Sequence, residues 1–104
     1  MAITTERIVL EVPGSTEMAA YVARPAAGGP HPGLIVLQEA FGVNGHIRKV
    51  TERFAEQGYV AIAPELFHRT APPGFEGSYK DFPSVMPHYQ AVTAEAAEAA
   101  RTHA

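Results

Sequence analysis

Residues 34–64, LIVLQEAFGVNGHIRKVTERFAEQGYVAIAP, decide the fold. Leu34 to Leu37 is a short, continuous apolar run, the pattern of a parallel strand covered on both faces. From Asn44, a residue type that caps helices, Ile47, Val50, Phe54 and Ala55 recur at helical spacing, while Arg48, Lys49, Glu52, Arg53 and Glu56 occupy the other face. Gly58 is a C-terminal stop, Tyr59 to Ala63 (YVAIA) is a second buried strand, and Pro64 closes it. Strand, helix and strand in so short a span form a βαβ unit with a right-handed crossover.

Upstream, Arg7 to Val12 and Glu17 to Arg24 flank Pro13-Gly14-Ser15-Thr16, a connection of hairpin length between β-prone segments. Pro25 to Gly33 (PAAGGPHPG) contains three prolines and three glycines and reads as a surface connection rather than an interdomain linker. Beyond Pro64 the periodicity loosens into a long ordered loop with a short helix expected near Asp81 to Met86. Thr93 is placed to cap a last, alanine-rich helix over residues 94–104, whose small side chains bury little area. The architecture is α/β, a single partial domain over residues 1–104: hairpin, βαβ unit, loop and helix on an incomplete sheet.

Composition narrows the functional classes. With 104 residues, 46% hydrophobic and 18% charged, the chain is a globular domain of modest core. A net charge of -3 gives no basic footprint for nucleic acid, and no apolar run approaches the length of a membrane span. The N-terminus lacks a signal-peptide pattern, so a cytoplasmic protein is expected. The chain has no cysteine, which removes thiol catalysis and thiolate metal sites from these residues.

Within the deciding stretch, Glu39 stands just past the end of the first apolar strand, where open α/β sheets bind ligands. Two readings stay open for it. It is a carboxylate desolvated by Leu37 and Phe41 and raised in pKa, or it caps the next helix or pairs with a basic side chain. No Gly-x-Ser-x-Gly occurs, and Ser15, Ser78 and Ser84 lie in turn or loop contexts. The five histidines form no close ligand pair, so no metal and no cofactor are expected; a weak alternative groups Glu39, His46 and His68.

Gln38-Glu39-x-Phe41-Gly42-Val43-Asn44, His46-Ile47-Arg48, Gly58-Tyr59-Val60-Ala61 and Ala63-Pro64-Glu65-Leu66 together resemble the N-terminal half of the dienelactone hydrolase family, α/β-hydrolases related to carboxymethylenebutenolidases. His68 to Tyr79 resembles one branch of it. The resemblance implies an ester or lactone hydrolase in which Glu39 controls the ionisation of a cysteine nucleophile and the Ala40 amide serves the oxyanion hole. Phe41 and Tyr79 are the implied substrate contacts. Phe75 stands where some members carry a substrate-binding arginine, a departure that argues against the usual dienelactone substrate.

The family's cysteine, acid and histidine lie past Ala104, so the isolated chain is expected to be inactive. Its expected partners are a small-molecule ester or lactone in the complete site, and the missing C-terminal half or a second copy beside the strand at Leu34 to Leu37. The alternative is a non-catalytic module that binds a partner chain along that strand edge.

Overall fold

The computed structural model describes residues 2–103, with side-chain surroundings over residues 2–92. Strands β1 (Ile3–Leu10) and β2 (Met18–Pro25) form the expected hairpin, in register from Ile3 opposite Pro25 to Leu10 opposite Met18. Its turn closes through the Ser15 amide, which donates to Val12 O at 3.0 Å. β3 (Gly33–Ile35) and β4 (Val60–Pro64) run parallel, joined by α1 (Gly45–Glu56), and β4 lies antiparallel to β2. The four-stranded order is β1-β2-β4-β3, which leaves β3 on an edge of the sheet formed by the described residues.

Both ends of α1 follow from local chemistry. Asn44 is extended, with φ -89° and ψ -174°, and its Oδ1 accepts from the Ile47 amide at 3.1 Å, satisfying one of the orphan donors of the first turn. At the other end Gly58, at φ 99°, makes a Schellman motif: its amide donates to Ala55 O, and the Tyr59 amide reaches back to Phe54 O. The accompanying apolar contact is present too, since the Phe54 and Tyr59 rings meet edge to face at 6.1 Å.

α1 packs on the sheet through Val36, Val43, Ile47, Ala61 and Ala63, with Tyr21, Leu34 and Val50 at the margin. The alanines of β4 leave room for the helix to approach. Thr51 is fully buried among them, its hydroxyl donating to Ile47 O at 2.8 Å, so a residue without apolar signature joins the core. Tyr21 Oη donates to Glu52 at 2.6 Å across the same interface. Burial, reinforced by that bond, holds the phenol above its usual pKa.

Two expectations are corrected. The strand at Leu34 to Leu37 is not covered on both faces: Leu34 and Val36 turn toward α1, while Ile35 and Leu37, of opposite parity, are 65% and 68% exposed. The run is apolar throughout, yet the described residues place a helix on one side only. Nor are there two helices after the loop, because α2 runs unbroken over Phe82–His103, through Thr93. Pro83 falls in the first turn, where no N–H is needed, and Pro87 removes only the bond to the Pro83 carbonyl. Val85 anchors this end, fully buried in a second cluster with Phe67 and Ala71, against which Ala40, Phe41, Phe75 and Val92 pack.

Candidate functional site

Past β3 the chain stays on the sheet for one more bond, from the Val36 amide to Ile62 O at 2.8 Å, and then turns. Glu39 to Gly42 is a tight β-turn closed by the Gly42 amide on Glu39 O at 3.1 Å. Gly42 takes φ 84°, and a Cβ there would stand 2.7 Å from Phe75 O. Only glycine fits. The loop after β4 docks on the turn at this point, with the Gly77 amide donating to Phe41 O at 2.9 Å.

That loop is itself held from inside. Glu65, 8% exposed, accepts from the Gly74 amide at 2.9 Å and from Arg7 at 3.4 Å. Arg48 bridges the Val43 carbonyl at 3.0 Å and Glu76 at 3.2 Å, fastening the far side of the loop to α1. Between the turn and the loop lies an open groove of about 240 Å³, lined by Gln38, Glu39, Ala40, Leu66, Phe67, Tyr89 and Val92. It lies beyond the carboxyl ends of β3 and β4, where ligands bind in open α/β sheets.

The sequence-derived candidates divide across this groove. Glu39 and Ala40 line it, but Glu39 is not the desolvated carboxylate expected: its side chain is 66% exposed and lies 3.6 Å from His46 Nε2. The alternative reading, pairing with a nearby basic group, describes it better. Leu37 cannot shield it, being turned to the open face of β3, and Phe41 faces the other way. Ala40 is half-buried, and among the described residues its N–H donates to no acceptor, as is usual for the second residue of a β-turn.

Phe41 and Tyr79 do not line the groove. Phe41 turns into the second cluster, edge to face with Tyr79 at 4.5 Å and Phe82 at 6.0 Å. Tyr79 lies on its far side, 64% exposed, its Oη accepting from Asn44 Nδ2 at 2.8 Å. Phe75 packs on Phe67 at 6.2 Å and on the His88 ring at 4.7 Å, forming an apolar wall behind the groove. His88 Nδ1 is tied to the Thr70 hydroxyl at 2.6 Å.

His68 does not join Glu39 and His46, because its Nδ1 meets the Thr16 hydroxyl at 2.9 Å on the hairpin side. No cluster of three His, Asp or Glu side chains able to hold a metal occurs among the described residues. Gln38 is the residue that sequence reasoning passed over. It stood in the family motif without an assigned role, and its further signal was position, a polar residue directly after an apolar strand. Tyr89 and Val92 reach the groove because α2 begins earlier than its alanine-rich part.

Comparison with known proteins bears on the family and the fold. The profile of the dienelactone hydrolase family matches residues 18–103. A protein of Synechocystis sp. named "putative carboxymethylenebutenolidase" is 49% identical over 80 residues, 76% of this chain and 32% of that protein. The crystal structure of a "putative dienelactone hydrolase" from Klebsiella pneumoniae superposes with a TM-score of 0.66 at 42% identity, over 79% of this chain and 34% of that one. A further solved structure, m3DLH, gives a TM-score of 0.72 at 27% identity, covering 94% and 38%. The chain spans about a third of the length of these relatives.

Proposed function

The chain belongs to the dienelactone hydrolase family, and from that premise we propose that residues 34–45 supply the oxyanion side of an ester or lactone hydrolase site, Ala40 through its amide and Glu39 through its carboxylate. The observation that carries this reading is the Glu39–Gly42 turn, which leaves the Ala40 N–H unpartnered at a groove beyond two parallel strand ends. Attack on an acyl carbon sends its electron pair to the carbonyl oxygen, and a fixed N–H at the position of that oxyanion stabilises the tetrahedral intermediate. Glu39, at the groove rim beside His46, bears on the protonation of the attacking group. Phe67 in the groove lining, backed by Phe75, favours an apolar acyl or alkyl portion of the substrate over a second carboxylate. Phe41 and Tyr79, which lie off the groove, support the turn from its outer side and are given no substrate contact in this reading.

No cysteine occurs in the 104 residues, Ser15 and Ser78 are held in turns, and the Ser84 hydroxyl donates to Asp81 O at 2.9 Å, so this reading takes its nucleophile from outside these residues. A chimera tests the reading: this chain joined to the part of the Synechocystis relative that follows its matched segment. Turnover of p-nitrophenyl acetate is expected from the chimera and not from the 104 residues alone. Ala40→Pro deletes the N–H at a turn position that accepts proline, and is expected to lower kcat by about 10²–10³-fold. Turnover by the chain alone, or an undiminished Ala40→Pro chimera, refutes the assignment.

A second reading rests on the exposed Ile35 and Leu37 beside the unpaired edge of β3: a partner chain docks there, without catalysis. It predicts one defined stoichiometry in light scattering.

A further inference from the structure

Gln38 holds two neighbouring strand exits together and in doing so touches the peptide that carries the proposed oxyanion donor. Its Oε1 accepts from the Leu66 amide at 2.8 Å, just past the end of β4. That bond decides the orientation of the side-chain amide, since an N–H can only face the oxygen. The Nε2 end is therefore directed at Glu39 O, 3.2 Å away. The same carbonyl accepts from the Gly42 amide at 3.1 Å, closing the turn.

Two donors on one carbonyl fix the plane of the Glu39–Ala40 peptide. That peptide is trans, as no cis bond occurs among the described residues, so the Ala40 N–H points away from the Glu39 oxygen. Gln38 and Gly42 hold one end of the peptide dipole, and the other end is the unpartnered donor at the groove. Hydrogen bonds on the carbonyl also polarise the amide, strengthening its N–H as a donor.

We propose that Gln38 is a positioning residue for the Ala40 amide: clamped to Leu66, it pins the Glu39 carbonyl and so aims and strengthens the oxyanion donor. This rests on the function proposed for Ala40, although the geometric part stands independently of it. Gln38→Glu separates the two bonds. A carboxylate still accepts from the Leu66 amide but has no donor for Glu39 O, whereas Gln38→Met fills similar volume and makes neither bond.

Two arms test it. In the ¹⁵N-labelled 104-residue chain, Gln38→Glu is expected to move the Ala40 amide resonance by several linewidths and to shift the Leu66 amide proton downfield, since a carboxylate accepts more strongly, whereas Gln38→Met is expected to move Ala40 and to shift Leu66 upfield. Any other pattern overturns the clamp. In the chimera, Gln38→Glu is expected to lower kcat about tenfold at unchanged KM, the effect of one lost charge-stabilising alignment, and to add nothing on an Ala40→Pro background. Additive losses, or a change in KM alone, overturn the proposal. An inactive parent chimera refutes the function instead, and the resonance arm still decides the role of Gln38.

Discussion

Gly42 is the residue on which the turn and the loop after β4 meet, and Gly42→Ala should be the most damaging methyl addition in the deciding stretch. Its cost has two parts. At φ 84° an alanine pays backbone strain of about 1–2 kcal/mol, and a Cβ placed 2.7 Å from Phe75 O forces backbone, not a flexible side chain, to move. Gly58 supplies the control: its φ of 99° carries comparable strain, but a Cβ there meets nothing within 4 Å. Gly58→Ala should therefore cost about 1–2 kcal/mol and Gly42→Ala about 2–4 kcal/mol, a large share of the ~5–15 kcal/mol of an ordinary domain. Equilibrium urea denaturation of the two variants beside the parent measures the difference directly, provided the slopes agree. Equal losses within about 0.5 kcal/mol would show that Phe75 does not press on the turn, and the account of the groove wall would fall with it.

Other contacts make separate predictions. Gly77→Ala, whose Cβ would stand 2.5 Å from Val85 Cγ2, should cost about 1–3 kcal/mol, and part of that should vanish in a Gly77→Ala, Val85→Ala double-mutant cycle. Glu65→Ala strands the Gly74 amide and should cost about 1–3 kcal/mol, whereas Arg7→Ala, losing a half-exposed pair, should cost under about 1 kcal/mol by the same denaturation assay. Because burial and Glu52 raise the Tyr21 pKa, the folded state holds that proton more tightly than the unfolded chain. Stability should then be intact below pH ~10 and fall as pH climbs from there through the raised folded value. Tyr21→Phe should flatten this alkaline limb in pH-dependent melting, and an unchanged limb would refute it.

The βαβ unit was legible because each of its signals is local. Asn44 caps, Gly58 terminates, and Ile47 and Ala55 are buried as their period implies, although Thr51 joins them and Phe54 stays exposed. The errors lie where a reading depended on what surrounds an element. Leu34 to Leu37 is apolar at every position, which specifies burial on both faces in a complete sheet, but not which face the described residues cover. The loosened period after Pro64 hid the start of α2, where Pro83 removes no helical bond, Pro87 removes one, and Val85 is fully buried between them.

The same distinction explains the site. Glu39 drew attention because it lies past a strand end, which is visible in sequence, and Ala40 only through the family resemblance; the exposure of Glu39 was not legible, since it depends on Leu37 and Phe41 both facing elsewhere. Tyr79 was placed at the substrate by motif, yet its position is set by Asn44, whose amide caps α1 with one atom and holds the phenol with the other. Gln38 stood in the family motif without a role of its own, because its bond across 28 residues to Leu66 exists only once β3 and β4 lie side by side. A positioning residue of that kind belongs to the topology rather than to any one element. The proposed hydrolytic site therefore depends on the alignment of one peptide plane more than on the charge of Glu39: a solvated carboxylate can reorient, whereas an amide held by two hydrogen bonds on its carbonyl keeps one direction, which is what the proposed oxyanion role requires.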